Sequence, residues 1–503
     1  MGNSVKKKKA FNPYLPGYVY VPDAEPRVFG DRLYVFGSHD RSHGKFFCEE
    51  DYVCWSAPID DLGNWRNEGI IYEKAQDPLN RNGEHNLYAP DVIQGPDGRY
   101  YLYYCLDVIG RIAVAVCDRP AGHYEYYGEV HYPDGRLLTD YFPADPAVLN
   151  DDGEIYLYYG FCPDMDIPGI HIEEKTGAHV VKLRADMLTV ASGPDRVLPY
   201  KEYTKNTGFE GHGFFEASSV RKFGERYYYI YASEQLNELC YAVSKYPDRA
   251  FQFGGIVISN GDIGYQGRTP EERLAYTGNI HGGLVEIDQQ YYIFYHRHTQ
   301  GTLFSRQGCA EPVFMNEDGE IMQAEMTSAG LNGCVLEAQG RYPAMIACNI
   351  ISKNGACDIP FDGIDKSANP YIDESYTDEG GSQTEQFICN MQDGDRITYK
   401  YFLFTGEEDH QETECLKYGD LAHDNGKQRR TVKVCVRGNA RGSLFLKQKG
   451  NEGRMAEFVL NVPGNDWIVV KTETEFETGK FAVEFMYSGE GRLDLLWFSF
   501  GEV

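Results

Sequence analysis

Across the first two thirds of the chain, short runs of aromatic and β-branched residues recur, each opened by a polar turn. The runs are Leu33–Ser38, Tyr100–Cys105, Ile155–Gly160, Tyr227–Ala232 and Tyr291–His296. Their starts are 67, 55, 72 and 64 residues apart. The turns are Gly30-Asp31, Asp97-Gly98, Asp152-Gly153, Gly224-Glu225 and Asp288-Gln289, which are hairpin signals between two strands. A second strand-like run follows each: Val53–Pro58, Ile112–Cys117, Ala178–Leu183, Glu238–Ser244 and Leu303–Gly308. Repeats of this length, built from antiparallel strands, predict a five-bladed β-propeller. The Tyr- and Pro-rich segment Phe11–Tyr20 is expected to help close the ring.

A polar residue stands just upstream of every aromatic run: Asp23, Asp91, Asp145, Glu216 and His281, at offsets of 10, 9, 10, 11 and 10 residues. In a propeller the innermost strand of each blade lines the central channel. Equivalent positions therefore face one another, and these five residues are expected to converge at one mouth.

From about Asn354 the pattern changes to short alternating runs: Arg396–Phe404, Thr431–Arg437, Gly442–Lys447, Glu457–Val462, Trp467–Thr474, Lys480–Tyr487 and Arg492–Phe500. Gly-, Asp- and Asn-rich stretches separate most of them, which predicts a β-sandwich. The expected organisation is all-β: a disordered tail at 1–10, a propeller over 11–340 and a sandwich over 341–503. No long helix is needed. The absence of a Pro- or Ser-rich linker predicts that the two domains pack directly.

Composition narrows the function. Of 503 residues, 76 are acidic and 48 basic, for a formal charge of −28; that argues against nucleic acid, anionic membranes and strongly acidic polysaccharides. No apolar run of membrane-spanning length is present. Met1–Lys9 is basic but leads into no apolar segment, and the 13 cysteines show no paired CxxC spacing. Together these predict a cytoplasmic protein with reduced thiols. No oligomeric state can be read from the chain.

Carboxylates gathered at a channel mouth suit hydrolysis of a glycosidic bond, which needs one acid for the leaving oxygen and one base for water. Glu216 follows Phe214 and Phe215, an apolar setting that raises its pKa and makes it the candidate general acid. Asp23, opening the first blade, is the candidate base, and Asp145 is a third carboxylate whose charge keeps Glu216 protonated.

These residues sit in motifs that resemble glycoside hydrolase family 43, over roughly Asn12 to Gly333. Val21-Pro22-Asp23-Ala24 followed by Gly37-Ser38-His39-Asp40 is similar to the first-blade motif, and Tyr88-Ala89-Pro90-Asp91 to that of the second. Phe142-Pro143-Ala144-Asp145-Pro146 and Phe215-Glu216-Ala217-Ser218 are similar to the stretches bearing the tuning Asp and the acid. Asn279-Ile280-His281-Gly282 and Ser305-Arg306-Gln307 are similar to the His and Arg motifs. Asp23-Ala24 and Glu216-Ala217-Ser218 depart from the usual Asp-Pro and Glu-Gly-Pro. The resemblance implies an inverting exo-glycosidase acting on oligosaccharides, with α-L-arabinofuranosides as the leading substrate. β-Xylosidase or other exo-glycosidase action of the same family, or a non-catalytic sugar-binding propeller, are the alternatives. It implies Asp23 as base, Glu216 as acid and Asp145 as the pKa modulator. Tyr88, Asp91, Phe142, Phe215, His281 and Arg306 are expected to line the substrate site. No cofactor is required, and a Ca²⁺ in the channel would be held near His281, through water. The C-terminal sandwich resembles the carbohydrate-binding modules appended to this family.

Overall fold

The computed structural model describes residues 8–333, 335–376, 384–405, 426–450 and 455–501. Four blades are four-stranded antiparallel sheets that run outward in chain order. Blade one is Glu25–Phe29, Arg32–Phe36, Tyr52–Pro58 and Arg66–Tyr72. Blade two is Leu87–Gln94, Tyr100–Leu106, Ala113–Cys117 and Glu125–Glu129. Blade three is Ala147–Asp151, Glu154–Tyr159, Gly177–Leu183 and Val190–Pro199, and blade four is Phe214–Phe223, Arg226–Ser233, Glu238–Ser244 and Gln252–Ser259. Blade five has three strands, Leu284–Ile287, Gln290–His298 and Arg306–Val313. Its third strand begins three residues later than the expected Leu303, because residues 299–305 form a loop that returns to the mouth.

The aromatic runs are continuous because both faces of each blade are buried against its neighbours, the condition that abolishes alternation. In blade four, Tyr227, Tyr229 and Tyr231 pack toward blade three, while Tyr228, Ile230 and Ala232 pack toward blade five. Analogous apolar clusters fill the other inter-blade spaces. The inner strands neighbour one another around the ring, and blades five and one meet at a parallel bridge, Ala24 with Gly282. The N-terminal segment completes the closure as expected. Tyr14 donates its N–H to Gly308 O at 3.2 Å. The Asn12 amide brackets Ala310, donating to its O at 3.1 Å and accepting from its N–H at 2.9 Å.

The expected disordered tail needs correction at its end. Residues 1–7 lie outside the described residues, but Lys8 and Lys9 are docked and Ala10 is buried. Lys8 Nζ donates to Asn64 Oδ1 at 2.7 Å, and Lys9 Nζ to the Tyr342 hydroxyl at 2.8 Å.

The C-terminal domain also differs in detail. Six of the expected short strands are halves of three long ones: Lys427–Gln448, Met455–Glu477 and Gly479–Gly501. Glycines between the expected strands, among them Gly438, Gly442, Gly489 and Gly491, lie inside the long strands at close approaches to the paired backbone. Gly491 has φ +85°, and a Cβ there would lie 1.6 Å from Asn439 O on the paired strand. Bending doubles the last strand over its own core: the rings of Phe485 and Phe498, thirteen positions apart, are 5.4 Å centroid to centroid. A straight strand would hold them about 40 Å apart. The two halves thus form the faces of a sandwich around one apolar cluster. Leu336–Glu337, Gly340–Pro343 and Asn349–Ile351 join the same sheet. The domain packs on the propeller without a tether: Lys400 is buried between Asp262 (2.7 Å) and Glu325 (2.9 Å), and its carbonyl accepts the N–H of Ser328 at 2.6 Å.

Candidate active site

Each inner strand of the propeller ends at a hairpin on the far side of the ring, so depth in the channel is set by counting back from that hairpin. Asp23 lies six residues before Phe29, Asp145 six before Asp151, and His281 six before Ile287, the last inner-strand residues of their blades. Glu216 lies seven before Phe223, and two irregularities of register around it absorb the extra residue. Asp91 lies three before Gln94. Its sequence offset matches the others only because the blade-two turn has five residues, Gly95–Arg99, where the other blades have two. In blade two Tyr88, three residues before Asp91 and beyond a register irregularity, stands nearest the mouth, within reach of the Arg306 charge.

The mouth therefore carries Asp23, Tyr88, Asp145, Glu216 and His281, and Asp91 is corrected out of it. Asp91 is fully buried deeper in the channel and saturated. It accepts Arg27 Nε at 3.0 Å and Nη2 at 2.5 Å, and the N–H groups of Val148 at 2.8 Å and Val92 at 2.7 Å. Glu25 shares this lower layer, accepting Arg221 Nη2 at 2.5 Å and Ser219 Oγ at 3.1 Å through one oxygen. Its other oxygen, Oε1, is buried with no protein partner. These residues join the blades below the mouth.

Asp23 sits before its strand at φ +54°, a left-handed position that turns its carboxyl to the mouth. Its Oδ1 lies 2.9 Å from Arg306 Nη1 and 3.2 Å from His296 Nδ1. Burial alone would raise the Asp23 pKa, but Arg306, with His296 and His281, overcomes it and holds the carboxyl well below the usual carboxylate range. Burial lowers the His296 pKa, and its contact with Asp23 opposes the fall. Its Nε2 donates to Asn279 O at 2.9 Å.

Arg306, expected to touch substrate, is buried and braces the candidate base. Its Nε and Nη2 clasp Asp40 at 2.8 and 2.9 Å, and Nη1 holds Asp23. Asp40 and His296 are site residues that the sequence reading missed. Asp40 ends the first-blade motif Gly37-Ser38-His39-Asp40. His296 was absorbed into an aromatic run read as core.

Glu216 keeps an accessible face although protein surrounds its carboxyl. Burial pushes its pKa well above the usual range, the charges of Asp145 and Asp23 push it further, and Arg306 opposes them more weakly. Asp145, at φ +48°, accepts the Ala217 N–H at 3.0 Å and lies 3.8 Å from His281 Nδ1. Its own pKa is raised by burial, against the pull of His281 and the Ala217 N–H. Phe215 and Phe142 flank the acid through a third ring, Phe161, with centroid separations of 5.7 and 6.1 Å. Phe161 went unnoticed because it opens a loop. Glu210, six residues before Glu216, is exposed on a turn and supports Thr207. Away from the mouth, His212 Nδ1, Ser233 Oγ and Cys240 Sγ all turn to Oε1 of Glu238, a closed hydrogen-bond cluster.

A carboxyl with a raised pKa and one with a lowered pKa, brought to a shared channel mouth, are the equipment of a glycoside hydrolase. The comparisons agree. Residues 12–321 match the sequence model of glycosyl hydrolases family 43. A xylosidase/arabinosidase of Thermoclostridium stercorarium is 44% identical over 498 residues, covering 98% of this chain and 99% of that one. An arabinoxylan arabinofuranohydrolase of Paenibacillus polymyxa is 25% identical over 512 residues, covering 93% of this chain and 70% of the other. The crystal structure of a GH43_1 enzyme from Xanthomonas citri covers 61% of this chain and 92% of its own at TM-score 0.50 and 24% identity, a likeness of fold. The chain belongs to glycosyl hydrolase family 43.

Proposed function

We propose that this enzyme is an inverting exo-glycosidase that removes terminal α-L-arabinofuranosyl groups from oligosaccharides, with terminal β-xylosyl groups as the second substrate. The observation that carries the mechanism is the pairing at one mouth of Glu216, its pKa raised by burial and by Asp145, with Asp23, its pKa lowered by Arg306 against burial. Two carboxyls pushed apart in this way mark acid and base. The similarity to a xylosidase/arabinosidase along almost the whole chain supports both sugars.

In the proposed reaction Asp23 takes a proton from water as its oxygen attacks the anomeric carbon. The bond from that carbon to the glycosidic oxygen breaks, and Glu216 gives its proton to the departing oxygen. The proton gained by Asp23 returns through solvent to Glu216. Asp145 keeps Glu216 protonated, and Arg306 and His296 keep Asp23 ionised and oriented. Tyr88, Phe142, Phe161 and Phe215 form the wall against which the sugar packs. Turnover on nitrophenyl α-L-arabinofuranoside and β-D-xyloside tests the specificity. Proton NMR of the first product tests the stereochemistry: retained configuration would make Asp23 a nucleophile and sink the assignment.

The channel fits a hydrated hard cation such as Ca²⁺, held through water by His281 and the partnerless Oε1 of Glu25. Its charge would stabilise the ionised form of Asp145, and no step requires it. Treatment with EDTA is expected to leave kcat/KM unchanged; a loss restored by added Ca²⁺ would overturn that.

A further inference from the structure

The hydrogen-bonded cluster around Glu238 brings three kinds of metal ligand together. Glu238 and Cys240 are alternate residues of the third strand of blade four, so their side chains share one face. His212 comes from the loop before the inner strand, four residues ahead of Glu216. Its Nδ1 lies 2.6 Å from Glu238 Oε1 and 3.8 Å from Cys240 Sγ, and Sγ lies 3.3 Å from Oε1. Among the described residues, this is the one group of His, Cys, Asp or Glu whose ligand atoms gather so closely.

The surroundings fix the imidazole in advance. Its plane stacks on Phe253, 4.8 Å centroid to centroid at 13°. The His212 N–H donates to Phe209 O at 2.8 Å, and its carbonyl accepts the Tyr231 hydroxyl at 2.8 Å. The Ser233 hydroxyl donates to Glu238 Oε1 from the neighbouring strand. Cys240 is fully buried and the Glu238 side chain nearly so, whereas the His212 side chain is 28% exposed. An ion can therefore enter along the imidazole.

We propose that His212, Glu238 and Cys240 form a zinc site, with water as the fourth ligand, that pins the segment leading to Glu216 onto the outer half of its own blade. The donor set decides the ion. A thiolate, an imidazole and one carboxylate suit Zn²⁺, whereas Ca²⁺ and Mg²⁺ call for oxygen ligands. The charges balance, because one thiolate and one carboxylate neutralise Zn²⁺ and the imidazole stays neutral. Binding releases the Cys240 thiol proton to solvent, and the proton between His212 Nδ1 and Glu238 leaves for solvent or moves to Nε2. Tetrahedral coordination at the usual bond lengths places N and O ligands about 3.3 Å apart and S about 3.5 Å from either. The group reaches that geometry chiefly by opening the His212–Glu238 contact by about 0.7 Å. The ion is a staple and not a reactant, so its readout is stability, and the inference stands apart from which glycoside the enzyme cleaves.

The test titrates the full-length, chelator-stripped enzyme with Co²⁺ and then with Zn²⁺. Cobalt bound to a thiolate gives a near-ultraviolet charge-transfer band, and displacement by zinc removes it. The same titration is run on Cys240→Ser, His212→Gln and Cys357→Ser. Gln can still donate to Glu238, and Cys357 is the exposed thiol among the described residues. The wild-type enzyme should bind one zinc per chain. Cys240→Ser should lose the band, His212→Gln should weaken zinc binding by about tenfold or more, and Cys357→Ser should change neither. Zinc at about 100 times its Kd should raise the Tm of the wild-type enzyme by about 2–3 °C, and that of Cys240→Ser not at all. Metal-free melting of each variant shows whether it is folded, and His212→Gln decides the matter if Cys240→Ser is not. A wild-type enzyme with no thiolate band and no zinc-dependent rise in Tm would overturn the proposal. So would zinc binding that ignores His212→Gln, or a band that survives in Cys240→Ser and vanishes in Cys357→Ser.

Discussion

Replacing Asp145 by Asn isolates the electrostatic link between the carboxyls. Asp145 accepts the Ala217 N–H at 3.0 Å, so its charge adjoins the residue next to Glu216. After burial, it is the largest influence raising the Glu216 pKa. The Asn carbonyl can keep the Ala217 hydrogen bond, so the substitution removes charge and leaves the strand in place. A carboxylate at such range shifts its neighbour by about 1–3 pH units, and each unit is worth about 1.4 kcal/mol. The sign follows from the role. Glu216 acts protonated, its pKa is raised in the fold, and without the Asp145 charge it gives up its proton at lower pH. The alkaline limb of kcat/KM should therefore fall by about one pH unit or more. The acid limb belongs to Asp23, held low by Arg306, and should not rise. The assay is a pH profile on a substrate with a sugar leaving group, xylobiose or an arabino-disaccharide, because nitrophenolate departs without help. An alkaline limb that stays in place or moves upward would refute the assignment of Glu216 as an acid tuned by Asp145.

Removal of the acid and of the base should be distinguishable. Glu216→Ala is expected to cost about 10²–10⁴-fold on sugar leaving groups and far less on nitrophenyl glycosides, whereas Asp23→Ala should impair both alike; equal losses for Glu216→Ala on the two classes would remove it from the acid role. Arg306→Gln leaves Asp23 and Asp40 buried without their counter-ion. The melting temperature should drop, by about 3–5 kcal/mol of stability, and the acid limb of kcat/KM should climb because the Asp23 pKa is no longer pulled down; an unmoved limb counts against Arg306 as its strut. In the C-terminal domain, Gly491→Val should destabilise by about 2 kcal/mol or more, measured by thermal unfolding, because the bend needs positive φ and admits no side chain; a neutral result would show that the last strand bends elsewhere.

The propeller was legible because its signal was repeated: an aromatic run buried on both faces leaves no alternation, and five of them mark five blades. Catalytic candidates were legible for the same reason, through a shared distance from the run. That distance failed at Asp91, where a longer hairpin turn moved the residue three positions deeper and left Tyr88 at the mouth. The supports of Asp23 were harder to see. Arg306, His296 and Asp40 act through contacts between blades five and one, at sequence separations that no local pattern records, and His296 lies within a run whose other residues are core. Glycine misled the reading of the C-terminal strands, since a bend that brings two strands too close for a Cβ and a turn that reverses the chain ask for the same residue.

Ring closure has a consequence for how the enzyme comes into being. Asp23 is made early in synthesis, but its guanidinium and imidazole partners arrive more than 270 residues later, with the last blade. The segment that seals that blade, Asn12 and Tyr14, is older still. A nascent chain thus carries the base without its counter-charge and the latch without its strand. Catalytic competence is acquired in one step, when the two ends of the propeller meet.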